Sequence, residues 1–168
     1  PVVAHEVAPD EPAAVLVANR VVACNATARV GGVHRGMRRR EAQGHCPELV
    51  VLERDEAREA RAFEAVARAV EAFSPRLEVV RPGSCALVTR GPSRYFGGDD
   101  ALAARLGARV HDVLDGRTTC RIGVADGPFA AGLAARRAAA VAPDPGPAAH
   151  VVVPGGTAAF LAPLPVTV

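Results

Sequence analysis

From Asp55 to Leu161 the apolar residues switch repeatedly between a helical and an extended period, and this alternation confines the chain to a layered architecture of helices on sheet. The clearest helical stretch is Asp55 to Phe73, where Phe63, Val66, Ala67, Val70 and Phe73 form a single stripe with Arg and Glu around the rest. Asp99 to Leu114 repeats the pattern with Leu102, Leu106, Val110 and Val113, and Pro128 to Val141 is an Ala-rich helix whose proline suits a first turn. Between these helices Leu77 to Thr89, Thr118 to Ala125 and His150 to Val153 read as strands, and Gly155 to Leu161 opens a last helix. The order predicts an α+β fold, a mostly antiparallel ferredoxin-like sheet with helices on one face. A doubly wound parallel sheet is the alternative, and the lack of a G-x-G-x-x-G turn or a P-loop counts against it.

Upstream, Pro1 to Ala13 reads as a lead-in segment and residues 14–54 as a small subdomain. Ala14–Ala18 and Arg20–Cys24 are short apolar runs parted by Asn19, a predicted hairpin. Asn25 to Val30 should make a helical turn stopped by Gly31-Gly32, Gly36 to Gly44 a short basic helix ended by Cys46-Pro47, and Leu49 to Leu52 a strand. Residues 55–154 then form the main body, and 155–168 begin a further element.

Several function classes fall away on composition. All 20 basic residues are arginine, so no Schiff base, Walker-type lysine or catalytic ammonium can come from this chain. A net charge of +2 is too small to demand a nucleic-acid partner. Cys24, Cys46, Cys85 and Cys120 lack C-x-x-C spacing, and His5, His34, His45, His111 and His150 share no ligand spacing; zinc is not expected, and the thiols read as reduced core residues. No apolar run approaches the ~18 residues of a membrane span, so a cytoplasmic location without membrane contact is expected.

Pro82-Gly83 stands in the middle of the strand expected at Leu77 to Thr89, where a central strand normally avoids both residue types. The flanking sequence gives this oddity a context. Asn25-Ala-Thr-Ala-Arg29, Gly32-Val-His-Arg-Gly-Met37 and Cys46-Pro-Glu-Leu49 resemble the fingers pattern N-Y-x-A-R-x-x-G-V-x-x-x-M then C-P-x-L of Y-family (DinB/UmuC-like) translesion DNA polymerases. Phe73-Ser-Pro-Arg-Leu-Glu78 resembles the palm motif Y-S-P-x-V-E, Cys120-Arg-Ile-Gly-Val-Ala125 resembles C-S-x-G-I-A, and Phe160-Leu-Ala-Pro-Leu-Pro165 resembles the approach to the thumb. The resemblance runs in order along nearly the whole chain. It implies a fingers subdomain at 14–54, a palm at 55–154 and the start of a thumb at 155–168. Within the family, Arg38-Arg-Arg-Glu-Ala-Gln43, Arg81-Pro-Gly83 and Gly123-Val-Ala-Asp-Gly127 are similar to the ImuB group, polymerase-like subunits of a bacterial mutasome. That likeness implies no polymerase activity and no cofactor. It implies instead an interaction hub in translesion synthesis and SOS mutagenesis, with a sliding clamp, an error-prone C-family polymerase and a RecA-like subunit as partners.

Active relatives hold two Mg²⁺ ions ~4 Å apart on carboxylates, one source being an Asp-Glu pair on this central segment. Counting from Glu78 places that pair on Gly83 and Ser84, or on Pro82 and Gly83 with a one-residue slip; neither register offers a carboxylate. The aromatic residue after Asn25 is replaced by Ala26, the family's phosphate-contacting arginine is matched by Arg29, and its two later lysines fall on Pro128 and Gly132. Pro82, Gly83, Ser84, Ala26, Arg29, Pro128 and Gly132 are therefore vestigial positions, with neither metal nor nucleotide expected. Arg29 reads equally as a phosphate ligand or as an arginine bonded to the fingers backbone. Arg35, Arg38, Arg39 and Arg40 form the densest basic cluster, a candidate DNA contact or a solvated helix face. Gly97-Gly-Asp-Asp100 resembles the G-G-D-E-F of nucleotide cyclases, but Asp99 or Asp100 as an N-cap is the simpler reading. Tyr95-Phe96 reads as a loop anchor packed on the sheet. Two alternatives to the inactive hub remain: an active error-prone translesion polymerase and a plain DNA-binding module.

Overall fold

A computed structural model describes residues 7–8, 10–115, 119–141 and 147–164. His5, Thr118, Pro143 to Asp144-Pro145 and Pro165 lie outside these residues. The architecture is α+β, in two compact units: residues 1–64 with Arg81–Gly83, and residues 65–80 with 84–168.

In the first unit, β1 (Ala13–Val17) is central to a three-stranded sheet, flanked by β2 (Arg20–Cys24) antiparallel and β3 (Val50–Glu53) parallel. The β1–β2 connection is the expected hairpin, with Ala18 and Asn19 at φ +47° and +64° as a two-residue turn that suits the strand twist. Alternation puts Ala14 and Val21 on one sheet face with Ala28, Val33, Ala42, Cys46 and Leu49, while Ala13 and Val15 face the other way against Val50 and Leu52. The first of these clusters is closed by α1 (Ala26–Val30) and α2 (Arg39–His45). The helix α3 opens at Glu56, where Asp55 accepts a bond from the Arg58 amide at 2.8 Å and so caps the first turn.

In the second unit the buried stripe of α3 (Glu56–Glu71) comprises Val66, Ala69 and Val70. The segment expected as one buried strand is instead a hairpin: β4 (Leu77–Arg81) turns at Pro82-Gly83 into β5 (Ser84–Leu87), and β4 is largely exposed, with Val79 at 50% and Val80 at 60%. Proline fixes its own φ and Gly83 lies at φ +88°, the combination of a type II turn, so the anomaly at the strand midpoint is a chain reversal. A further helix missed by periodicity, α4 (Arg90–Phe96), follows, capped by Gly97. Next come α5 (Asp99–Val113), β6 (Arg121–Val124), α6 (Pro128–Val141), β7 (Ala148–Val151) and α7 (Thr157–Leu161). The β6–β7 pair is parallel, as is β1–β3, so the sheets are small and mixed rather than one mostly antiparallel sheet. The reason is local: β6 and β7 are joined through α6, a crossover that returns the chain in the same direction. Leu102, Leu106 and Val110 of α5 are buried as the stripe predicts, with Val113 half-buried. Gly123 lets α6 lie directly on β6, since a Cβ there would fall on the Ala131 carbonyl oxygen and the Ala135 amide, the two ends of one helical hydrogen bond.

Candidate functional site

The expected catalytic position resolves into a turn. Pro82 is half-buried, Gly83 is exposed with no atom within 4 Å of where a Cβ would stand, and Ser84 begins β5. The divalent ions implied by the family's chemistry need carboxylate oxygens, and Pro82, Gly83 and Ser84 supply none. The donor set at this turn does not fit the metals. Among the described residues no three His, Cys, Asp or Glu side chains stand close enough to hold an ion.

The residues expected near the incoming nucleotide are divided between the two units. Ala26 is exposed on the first turn of α1 and offers no ring. Arg29 donates from Nη1 to the Cys24 carbonyl at 2.9 Å, so of its two readings the backbone-bonded one has geometry behind it. Burial pushes the Cys24 thiol up, and the neighbouring Arg29 guanidinium offsets this only in part. Burial likewise raises Cys85 and Cys120, so neither is poised as a nucleophile; all four cysteines are free. In the second unit Pro128 and Gly132 sit one turn apart on α6, both exposed and both without charge.

The basic cluster is better defined. Arg20 donates to the Gly36 carbonyl at 2.8 Å and pairs with Arg38 through an isolated antiparallel bridge, and the Arg39 amide bonds the Asn19 carbonyl at 3.1 Å. These bonds tie the start of α2 to the β1–β2 turn. The helix starts at Arg39 rather than Gly36, because Gly36 is at φ +93° and Arg38 is extended. Arg38 is thus the N-cap residue, its amide donating to Glu41 at 3.2 Å, while Arg39 and Arg40 occupy the first turn; with Arg35 in the preceding loop, all four are exposed. Three cations at a helix N-terminus oppose the helix dipole, so helix stability does not account for their placement.

Other expected roles change. Asp99 and Asp100 are first-turn residues of α5 behind the Gly98 N-cap, and Asp99 accepts a hydrogen bond from the Ser93 hydroxyl; they favour the dipole without capping. Tyr95 is no anchor in a loop: it stands on α4 and is 83% exposed. His34 and His45 are exposed, and His150 packs on Phe160 at 5.4 Å. Two positioning residues escaped notice in the sequence. Asn25 accepts from the Ala28 amide at 3.0 Å and the Ala13 amide at 3.1 Å while donating to the Glu11 carbonyl at 2.7 Å, so one side chain caps α1 and completes the edge of β1. Asp126 receives the Gly155 amide at 2.7 Å, tying the loop after β6 to the loop after β7. An Asn before an apolar helical turn was a readable signal for the first; nothing local announces the second.

No helix among the described residues is long and apolar enough to cross a membrane. By sequence, no curated protein matches the chain. Solved structures do. The chain is similar to an insertion ternary complex of Dbh DNA polymerase (TM-score 0.74, 18% identity, 93% of this chain and 45% of that one). It is similar to a post-insertion binary complex of the same enzyme (0.72, 20%, 93% and 45%) and to a DinB family error prone DNA polymerase from Sulfolobus solfataricus (0.69, 22%, 93% and 44%). The chain therefore spans less than half the length of these polymerases, and the part it shares has the fold of Y-family palm and fingers. The impB/mucB/samB family profile matches residues 2–136, most of the sequence, and the chain belongs to that family.

Proposed function

We propose that this chain is a polymerase-like subunit without nucleotidyl-transfer activity, acting in translesion synthesis by holding DNA and partner proteins, as the resemblance to the ImuB group implies. One observation supports the reading: where the motif count expects the metal-binding acidic pair, the chain makes the turn Pro82-Gly83, open on the Gly83 side. A two-metal site cannot be rebuilt from a proline, a glycine and a serine hydroxyl. The neutral residues Ala26, Pro128 and Gly132 agree with it, since a triphosphate would meet no aromatic wall and no cation there. By the same resemblance the partners are a sliding clamp, an error-prone C-family polymerase and a RecA-like subunit, in the cytoplasm.

The arginines at the start of α2 are the surface this reading assigns to DNA phosphates. Primer extension with Mg²⁺ and Mn²⁺, run beside fluorescence anisotropy on a primer–template duplex, tests both halves. The expected result is no templated incorporation, together with salt-dependent binding that Arg38→Glu with Arg40→Glu weakens while thermal stability holds, since the charges are exposed and oppose the helix dipole. Templated incorporation would refute the inactive reading. Unchanged affinity at low salt in the double variant would refute the phosphate contact. DNA binding with no capture of any of the three partner proteins would favour the plain DNA-binding module.

A further inference from the structure

In the first unit the backbone sets one exposed cation directly against another. Arg20 opens β2, and an isolated antiparallel bridge places it opposite Arg38, the N-cap residue of α2. The opposition is built into the chain: the Val21 amide bonds the Met37 carbonyl at 2.9 Å and the Gly36 amide bonds the Val21 carbonyl at 2.8 Å, so the segment leading into α2 runs beside β2. Residues opposed in this way share one side of the ribbon with Cβ atoms about 4.5–5.5 Å apart, and like charges so placed destabilise the pair. No acid offsets them. Among the described residues no ion pair reaches Arg20, Arg35, Arg38, Arg39 or Arg40, and Glu41, the only acid of α2, accepts from the Arg38 amide instead. Arg20 has one internal use, the bond from Nη1 to the Gly36 carbonyl at 2.8 Å, which holds its guanidinium in place and leaves the rest of the exposed fork without a partner.

Two guanidinium groups on one side of a ribbon suit an anion. A planar carboxylate is satisfied by a single fork, whereas a tetrahedral phosphodiester accepts from two guanidinium groups lying in different planes. Arg35, Arg39 and Arg40 add three more exposed cations on the same short segments, a density that suits a duplex carrying one phosphate per about 1.7 Å of its axis. No Phe, Tyr or Trp occurs before Phe63, so none of these segments offers a ring on which a base could stack, as a single strand requires. We propose that Arg20 and Arg38 hold one backbone phosphate of duplex DNA between them, contacting the backbone and not the bases. The site rests on the reading of the α2 arginines as a DNA contact, and it adds to that contact a residue from another element.

A double-mutant cycle tests it. The 168-residue chain and its Arg20→Gln, Arg38→Gln and doubly substituted variants are titrated by anisotropy with a labelled duplex over a range of salt concentrations. Each single variant should bind about tenfold more weakly, the loss of one charge-assisted hydrogen bond. The double variant should lose about thirtyfold at most, short of the hundredfold product, because the two side chains share a ligand. Its plot of log affinity against log salt should flatten by about 0.9, the share of a single phosphate, and not by about 1.8. Arg20→Lys keeps the charge without the fork and should fall between the parent and Arg20→Gln. Because Arg20→Gln also gives up the Gly36 bond, its thermal midpoint is read beside the titration, and if it unfolds the cycle is closed with Arg20→Lys in its place. Binding indifferent to Arg20→Gln, while Arg38→Glu with Arg40→Glu still weakens it, would overturn this site and leave the α2 contact standing. Multiplicative losses with twice the change in slope would mean two separate phosphates and overturn the shared one. Polyglutamate bound as tightly as DNA, or a clear preference between A·T-rich and G·C-rich duplexes, would overturn recognition of the phosphate backbone. A parent chain that binds no duplex would overturn the α2 contact and this site with it.

Discussion

Placing an acidic pair where the motif count expects one, Gly83→Asp with Ser84→Glu, tests whether this turn is a remodelled element or a nearly competent centre. Gly83 lies at φ +88°, where an L-residue brings its Cβ against the following carbonyl; aspartate tolerates this better than most, and the cost is about 1–2 kcal/mol. Nothing adds to it sterically, because no atom stands within 4 Å of the new Cβ. Nor does desolvation, since Gly83 is exposed and a carboxylate there keeps its water. Ser84 is half-buried at the start of a short strand and contributes a few tenths of a kcal/mol at most. In a chain of this size each kcal/mol moves the midpoint by about 2–4 °C, so the double variant should melt roughly 2–8 °C lower. The loss should be the same from pH 5 to 8, because its origin is backbone strain and not repulsion between buried acids. Thermal unfolding by circular dichroism, with and without Mg²⁺ and nucleotide, is the assay, alongside primer extension. The expected outcome is a lower midpoint that Mg²⁺ does not raise, and no extension. A midpoint raised by Mg²⁺ and nucleotide through binding, or any templated extension, would show that two residues alone separate this turn from activity.

Further outcomes follow from single contacts. Gly123→Ala should be the most destabilising substitution, by about 3–5 kcal/mol, because the new methyl would lie on the Ala131–Ala135 hydrogen bond of α6; a denaturation midpoint close to that of the parent would mean α6 can lift off β6 freely. Asn25→Ala removes a helix cap and leaves the amide of the fully buried Ala13 without its acceptor, a loss of about 2–3 kcal/mol, whereas Asn25→Asp keeps the accepting oxygen but sets a second oxygen against the Glu11 carbonyl, so it should recover only part of that loss in the same urea titration. The Asp55 carboxyl is held below its ordinary value, first by the Arg58 amide and then by the Arg58 charge, so its contribution is present above the unfolded value near 4 and lost as pH falls through the lower folded value. Asp55→Ala should accordingly lower the melting midpoint at pH 7 and narrow its gap to the parent below pH 4; a constant gap down to pH 2 would refute this.

Long amphipathic periods were the legible part of this fold. The α3 and α5 stripes put Val66, Val70, Leu102, Leu106 and Val110 in the core where the 3.6-residue repeat places them, and α6 runs from Pro128 to Val141 as read. The α4 helix was hidden because seven residues containing Gly91 and Pro92 carry no helical period. At Pro82-Gly83 two sources of inference competed. Turn chemistry alone reads Pro-Gly as a reversal, while the apolar runs on either side read as one buried strand, and a bare pattern of hydrophobic residues cannot tell a long strand from two short ones. Strand direction was equally out of reach, since a crossover helix makes β6 and β7 parallel without marking either strand's sequence.

The motif residues divide along a physical line, between those the fold uses internally and those for which it shows no internal use. Asn25, first residue of the fingers motif, makes three hydrogen bonds that fix α1 to β1; Arg29 bonds the Cys24 carbonyl; Gly123 of the palm motif admits a helix onto a strand. Each of these three has a side chain, or lacks one, in a way the observed packing uses. The departures are of another kind: Ala26, Gly83, Pro128 and Gly132 are exposed and carry no ring, carboxylate or cation where the motif count expects one. On the proposed reading, a scaffold that must fold but need not hold a triphosphate is free to change at those positions and not at the first. Arg38, Arg39 and Arg40 oppose the dipole of the helix they begin, so helix stability alone does not explain them, and the proposed phosphate contact would.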